Sequence, residues 1–224
     1  MHPSVKKLIK AHRVLKKLDQ QVTYVGGAVI PLYIKDPAAE KPRTTLDVDT
    51  VVKTTTYGEY VKTENKLRSI GLKQSRDPGD PVCRWKYKDL KIDVMPAKGE
   101  FFGFSNEWYE EGIAHAIEKD LTEELTIQVF SPAYLFADKI NTFLDRGSED
   151  YYASHDFEDI IRLVDGYPNL ISEIKSAPPD VKKYIQDWVG KLLSQPRVRD
   201  YLAAHLVQQG RAEVLQKRLK KIFD

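Results

Sequence analysis

Hydrophobic and polar residues follow one kind of pattern up to about residue 130 and another kind after it. In the first part, short apolar stretches with a period of two residues, typical of strands, are interspersed with stretches at helical spacing. From Ser131 onward almost every pattern is helical, and Ser131-Pro132 is a typical helix start because it joins an N-cap residue to a proline in the first turn. We therefore predict an α+β fold with two domains: a mixed β-sheet with helices over residues 1–130, and a helical C-terminal domain over residues 131–224.

Turns rich in glycine and proline separate the predicted elements. Strands are predicted over residues 22–25, 46–52, 82–87, 90–94 and 126–130, the third and fourth forming a hairpin. Helices of the first part are predicted over residues 4–18, with Ser4 as N-cap, and over residues 28–34, 57–70 and 106–119. Helices of the second part are predicted over residues 132–145, 154–164, 168–176, 180–194, 197–208 and 211–223.

Composition excludes some classes of protein. The 224 residues carry a formal net charge of +2, so no global charge favours nucleic acid or a membrane surface. The basic residues of the last predicted helix are either a solvated face or a grip on RNA phosphates. The one cysteine, Cys83, rules out an intrachain disulfide and a cysteine-based zinc site, which fits a cytoplasmic location. No apolar run approaches the ~20 residues of a membrane span, and we expect no secretory signal.

Three aspartates lie on two of the predicted strands. Asp47 and Asp49 are two residues apart, so we expect their carboxylates on one face of the sheet, with Leu46 and Val48 pointing into a core on the other. Asp93 is likewise an acid between two apolar residues. Converging carboxylates repel each other unless a cation neutralises them, and hard oxygen ligands suit Mg²⁺ or Mn²⁺. The three aspartates therefore predict a divalent-metal site of the kind used in phosphoryl or nucleotidyl transfer.

The role of Asp93 stays open at this point. It either completes the metal site, acts as a general base on an acceptor hydroxyl, or is a strand acid paired with Lys91.

Gly26-Gly27 predicts a tight turn between a strand and a helix. Glycine lets the backbone approach a ligand closely, and N–H groups at a helix N-terminus favour an anion, so this turn is a candidate phosphate site.

Two residues of the second part are further candidates. Lys139 lies in a strongly apolar helix, where a lysine either extends its amine to solvent or serves an anion. Asp156 lies in the first turn of the next helix, where a carboxylate also favours the helix dipole. Asp159 and Arg162, three residues apart, are interpreted as a surface pair.

These motifs, in this order, resemble the nucleotidyltransferase superfamily of polymerase beta type. The first half supplies the double glycine, the motif Arg43-x-Thr45-x-Asp47-x-Asp49 and a third aspartate on a later strand. The second half resembles the abortive-infection AbiEii and MenT toxin branch, through a Pro-x-x-Leu-x-x-x-Lys helix and a following helix with an aspartate in its first turn. The resemblance covers roughly residues 20–165.

The resemblance implies a role for each matching residue. Gly26 and Gly27 would hold phosphates, Asp47 and Asp49 would bind metal, and Lys139 would contact the triphosphate. Asp156 would orient that lysine or help position the nucleotide, and Arg43 and Thr45 would support the Asp-x-Asp strand or touch phosphate. The chain departs from the family in its longer, proline-rich segment before Asp47, in His155 where arginine is usual, and in Ala28 where a hydroxyl residue is common.

The implied fold is a nucleotidyltransferase-like mixed sheet followed by a helical domain. The implied activity is transfer of NMP from an NTP such as ATP to an acceptor, with tRNA 3′ ends as a possible acceptor and a cognate antitoxin as a partner. Two alternatives stay open: a nucleotidyltransferase that modifies a small molecule such as an antibiotic, and a non-catalytic nucleotide-binding protein.

Overall fold

The structure is a computed structural model that describes residues 1–102, 106–146, 150–208 and 210–224. The chain divides into two compact units. The sheet unit comprises Met1–Leu32 and Arg43–Ser131, and the helical unit comprises Tyr33–Pro42 and Pro132–Asp224. The expected fold class, a mixed sheet with helices followed by a helical region, is confirmed.

Seven strands form one mixed sheet in the described part of the sheet unit. The strands are β1 (Val22–Val25), β2 (Asp47–Val52), β3 (Lys73–Gln74), β4 (Arg84–Tyr87), β5 (Leu90–Pro96), β6 (Ile117–Thr122) and β7 (Leu125–Val129). Their order across the sheet is β3-β4-β5-β2-β1-β7-β6. The helices of this unit are α1 (Pro3–Leu15), α2 (Tyr57–Ser69) and α3 (Tyr109–Ala114).

Strand β2 lies at the centre of the sheet, antiparallel to β1 and parallel to β5. Val48, Val51 and Val52 are fully buried, as expected for a β-branched central strand covered by helices. Two buried hydroxyls fix the neighbouring strand β5: Thr50 donates to the carbonyl oxygen of Asp93 (2.9 Å) and Tyr60 of α2 to that of Val94 (2.6 Å). The backbone around the central aspartates is therefore held by core hydrogen bonds.

Several details of the predicted elements were wrong. Helix α1 is capped by His2, while Ser4 is buried in its first turn. The predicted helix over residues 28–34 is a turn followed by a single 3-10 turn, Ile30–Leu32, because Pro31 cannot donate a helical hydrogen bond. Leu46 does not enter the core; it precedes the strand and is 82% exposed.

The predicted helix over residues 106–119 was also too long. Helix α3 ends at Ala114, and the following residues form the edge strand β6, paired with β7. Leu121 is buried between exposed neighbours, so the alternation typical of an edge strand is present, and pairing with β7 outweighs the helical propensity of the preceding glutamates.

The described part of the helical unit contains six helices around an aromatic core. They are α4 (Pro132–Asp145), α5 (His155–Gly166), α6 (Leu170–Ser176), α7 (Pro179–Leu193), α8 (Val198–Ala204) and α9 (Arg211–Phe223). Phe143 of α4, Phe157 of α5 and Trp188 of α7 meet edge to face or tilted, with ring centroids 5.7–6.3 Å apart. In the part of the chain that the structure describes, no helix combines the length and apolar character needed to cross a membrane.

Two arginines of the basic helix α9 serve the fold of the helical unit. Arg211 binds the fully buried carboxylate of Asp165 with bonds of 2.6 and 2.9 Å, and it also reaches Asp36. Arg218 donates to the carbonyl oxygens of Val164 and Asp165 near the end of α5, where carbonyl groups lack helical partners. The side chains of Arg211 and Arg218 are therefore engaged in contacts within the protein.

We expect Arg211→Gln to lower the free energy of unfolding by roughly 2 kcal/mol, because it leaves a buried carboxylate without its cation. Urea denaturation measures this. Arg199→Gln is the matched control, since the Arg199–Glu213 pair is exposed at both ends, and it should leave stability unchanged. Equal behaviour of the two variants would contradict the assigned role of Arg211.

Candidate functional site

The sheet register brings the three predicted aspartates to one face. Asp49 of β2 is the direct partner of Asp93 on β5, and Asp47 lies two residues before Asp49. Cross-strand partners and residues two apart share a face of a sheet. Ligand oxygens of the three carboxylates all lie within 4.8 Å of one another. We call Asp47, Asp49 and Asp93 the aspartate site.

Gly26 forms one wall of the aspartate site. It follows β1, whose last residue, Val25, is the partner of Asp49. Its φ of +69° favours glycine, and a Cβ built there would lie 2.0 Å from Oδ2 of Asp49. Gly27 is buried in the turn that follows. Gly26 thus brings backbone directly against a carboxylate, although no α-helix begins at this turn.

A cation from the neighbouring strand lies among these carboxylates. Arg84 of β4 is the partner of Asp93 in the register. Its Nε and Nη2 donate to the two oxygens of Asp93, both at 2.7 Å, and Nη2 also donates to Oδ2 of Asp47 at 2.5 Å. The arginine side chain is 14% exposed. Arg84 was not among the site residues predicted from the sequence.

A fourth carboxylate, Asp80, holds the other end of the guanidinium. Nη1 of Arg84 donates to Asp80 at 3.0 Å, and Asp80 also accepts from Ser75 at 2.6 Å and from Lys91 at 3.2 Å. Hydrogen bonding from Ser75, assisted by Arg84 and Lys91, lowers the pKa of Asp80. Lys91 therefore pairs with Asp80, and the alternative in which it pairs with Asp93 was wrong.

Burial is the main influence on the pKa values of two groups in the site, Asp93 and Cys83. It raises the pKa of the Asp93 carboxyl above its usual value, with Arg84 acting in the opposite direction. It also raises the pKa of the neighbouring Cys83 thiol to about 12, with a contribution from Asp93 and Asp49. Cys83 is therefore a protonated core residue rather than a thiolate ligand or nucleophile.

Thr45 supports the strand that carries the aspartates. It is buried, its hydroxyl donates to the carbonyl oxygen of Asp47 (3.1 Å), and its N–H donates to the hydroxyl of Ser4 (3.3 Å). Lys7 of α1 donates to its carbonyl oxygen. Arg43, two residues earlier, is half-buried.

The donor set of the aspartate site fits a divalent ion. Three carboxylates within reach of one point are hard oxygen ligands suited to Mg²⁺ or Mn²⁺. The guanidinium of Arg84 among these oxygens shows that the face is arranged to hold positive charge. Asp47, Asp49 and Asp93 are the residues that would hold the ion.

Lys139 and Asp156 meet within the helical unit. The amine of Lys139 donates to Asp156 at 3.0 Å and lies 2.8 Å from Asp159. Burial acts to lower the pKa of Lys139, but attraction to Asp159 and Asp156 outweighs it, and the pKa is raised. Arg146 also binds Asp156, at 2.8 Å. Lys139 and Asp156 are thus in contact within a buried charge cluster.

Asp159 is part of this cluster and not of the expected surface pair. It is 1% exposed and binds Lys139, whereas Arg162, its expected partner, binds Glu40 and Glu158.

Comparisons with known proteins show the fold. No family model matches the chain, and no curated protein matches it. The chain is similar to the crystal structure of an antigenic nucleotidyltransferase-like protein from Paracoccidioides brasiliensis, with a TM-score of 0.55, 19% identity and coverage of 90% of this chain and 92% of that one. The sheet and helical units thus have a nucleotidyltransferase-like fold.

Two further solved structures are more distant. The antibiotic-resistance factor ANT(2'')-Ia matches over 71% of this chain and 81% of its own, with a TM-score of 0.47 and 13% identity. JHP933 from Helicobacter pylori matches over 100% and 90%, with a TM-score of 0.46 and 11% identity.

We expect Gly26→Ala to destabilise the sheet unit more than a matched glycine variant. Gly79 also has a positive φ, +83°, but a Cβ there meets nothing within 4 Å. Gly79→Ala should cost only backbone strain, about 1 kcal/mol, while Gly26→Ala adds a clash with Asp49 and should cost about 3 kcal/mol. Chemical denaturation measures both, and equal costs would show that the contact with Asp49 is unimportant.

We expect Lys139→Met to lower the free energy of unfolding by roughly 3 kcal/mol, because Asp159 and Asp156 lose a buried cation. The double variant Lys139→Met/Asp159→Asn should regain part of this loss. Lys183→Met is the control, because Lys183 and Asp187 form an exposed pair on one helix. A Lys139→Met variant as stable as the wild type would show that Lys139 is not needed for the fold.

Proposed function

We propose that the protein is a divalent-metal-dependent nucleotidyltransferase that moves NMP from an NTP to an acceptor hydroxyl. The observation that carries this proposal is the aspartate site, three carboxylates with oxygens within 4.8 Å of one another against the Gly26 backbone. The nucleotidyltransferase-like fold supports it.

In this reaction the ion, the aspartates and the glycine backbone have different roles. When bound, Mg²⁺ or Mn²⁺ supplies positive charge that aligns the α-phosphate and stabilises the transition state. Asp47 and Asp49 would hold the ion, and the backbone around Gly26 and Gly27 would lie beside the phosphates. The acceptor oxygen forms a bond to the α-phosphorus, the bond from that phosphorus to the bridging oxygen breaks, and pyrophosphate leaves with the electron pair.

Asp93 is assigned here as the third ligand. It offers an oxygen within 4.8 Å of ligand oxygens of Asp47 and Asp49, close enough to complete one ion site with them. The proton of the acceptor hydroxyl passes to water or to another base.

We assign Lys139, in the charge cluster of the helical unit, as a residue that contacts the triphosphate. Since two carboxylates already neutralise its amine, an approaching phosphate has to compete with Asp156 and Asp159. This assignment, and those of Asp156 and Arg43, rest on the family resemblance.

We further propose that the protein is a toxin of the AbiEii and MenT kind. Its acceptor would be a tRNA 3′ end and its partner a cognate antitoxin. This proposal rests on the motifs of residues 132–156 and not on the geometry of the site.

We expect Asp47→Asn and Asp49→Asn each to reduce NMP transfer at least about 100-fold, because each removes an ion ligand. Protein is incubated with α-labelled NTPs, Mg²⁺ and total RNA, and label in RNA is counted. Asp89→Asn is the control, since Asp89 is exposed and pairs only with Lys10 in the described residues.

Each outcome of this experiment selects a function. Label in RNA that is lost in both site variants supports the proposal, whereas equal labelling by the variants rules out the aspartate site. NTP binding without any label in RNA would contradict transfer to RNA and favour a non-catalytic nucleotide-binding protein.

A further inference from the structure

The guanidinium of Arg84 occupies space that a divalent ion at the aspartate site would need. Its Nη2 lies 2.5 Å from Oδ2 of Asp47 and 2.7 Å from Oδ2 of Asp93, so one nitrogen bridges two of the three carboxylates. Together with Nε it uses both oxygens of Asp93. An ion bound by the same oxygens would meet a like charge at close range.

One nitrogen of Arg84 is bound outside the aspartate site. Nη1 donates to Asp80 and takes no part in the contacts with Asp47 and Asp93. Asp80 is itself fixed by Ser75 and Lys91 and is close to buried, with 10% of its side chain exposed. The arginine therefore has an anchor that remains when its other bonds are broken.

We propose that Arg84 is the resident counter-cation of the aspartate site and exchanges with the divalent ion. When the ion binds, Nε and Nη2 leave Asp93 and Asp47, while Nη1 stays on Asp80. In the absence of the ion, Arg84 bridges Asp47 and Asp93 and supplies the positive charge beside the three carboxylates. This inference rests on the proposed function, because it assigns the ion to the same carboxylates.

The exchange makes ion binding weaker than the carboxylates alone would make it. Charge-assisted hydrogen bonds to a partly buried carboxylate must be given up for each ion bound. Removing the arginine charge should therefore tighten ion binding, whereas a residue that merely supports the ligands would, when removed, weaken it. The sign of the change separates the two roles.

The first test is a titration of Mn²⁺ without nucleotide, followed by the loss of the free-ion signal in electron paramagnetic resonance. Arg84→Gln should bind Mn²⁺ about tenfold or more tightly than the wild type, and Arg84→Lys should be intermediate. Lys86→Gln is the matched control: it removes a positive charge two residues along the same strand, from an exposed pair with Asp77, and should stay within about twofold.

The Mn²⁺ titration also separates this inference from the proposed function. Unchanged or weaker binding by Arg84→Gln, with binding lost in Asp49→Asn, overturns the exchange and leaves the metal site standing. Equal binding by the wild type and Asp49→Asn overturns the metal site itself, and the exchange with it.

A second measurement uses the wild-type protein and does not depend on how well Arg84→Gln folds. The Nε–H signal of Arg84 is identified in a ¹⁵N spectrum by its absence from Arg84→Lys. Saturating Mg²⁺ should shift this signal and speed its exchange with water, since its bond to Asp93 is broken. A signal that does not change when the ion binds would contradict the exchange.

Discussion

Carboxylates that share one face of a buried sheet must be neutralised, and this constraint organises the sheet unit. The register of β2 against β5 places Asp49 beside Asp93, where like charges repel each other. The protein supplies Arg84 from the next strand, in register with Asp93, and fixes it with Asp80. Its core hydrogen bonds through Thr50 and Tyr60 hold the same stretch of β5 in place. The surrounding contacts thus neutralise the acidic face of the sheet and hold its strands in place.

The helical unit also contains carboxylates that must be neutralised, and these are more deeply buried than those of the aspartate site. Lys139 lies between Asp156 and Asp159, and all three are at most 5% exposed, so the cluster is stable only while its charges remain paired. Arg211 and Asp165 form a second such pair. A buried lysine of this kind contributes to the fold whether or not it touches a nucleotide. The aspartate site differs because its cation is partly exposed and has an alternative anchor.

Much of the fold and of the site follows from the sequence, for identifiable reasons. The period of two residues around Asp47 and Asp49 and the buried valines of β2 determine which way the carboxylates point, and the helices after Pro132 follow from apolar spacing. Edge strand β6 was missed because its pairing with β7 is tertiary information. The position of Arg84 could have been predicted from the sequence. A two-residue turn at Lys88-Asp89 pairs residue 87 with residue 90 and therefore residue 84 with residue 93. The contacts of Asp80 and Asp159 depend on side-chain packing that no local pattern contains.

The central claim is that the aspartate site holds a divalent ion beside a nucleotide, and a crystal structure with Mn²⁺ and a non-hydrolysable NTP analogue tests it most directly. The account predicts an anomalous Mn²⁺ peak about 2 Å from oxygens of Asp47 and Asp49, with phosphates beside Gly26. It also predicts that Arg84 is then bound to Asp80 alone among the four carboxylates. An analogue bound elsewhere, with Arg84 still on Asp93 and no peak at the aspartates, would contradict the account.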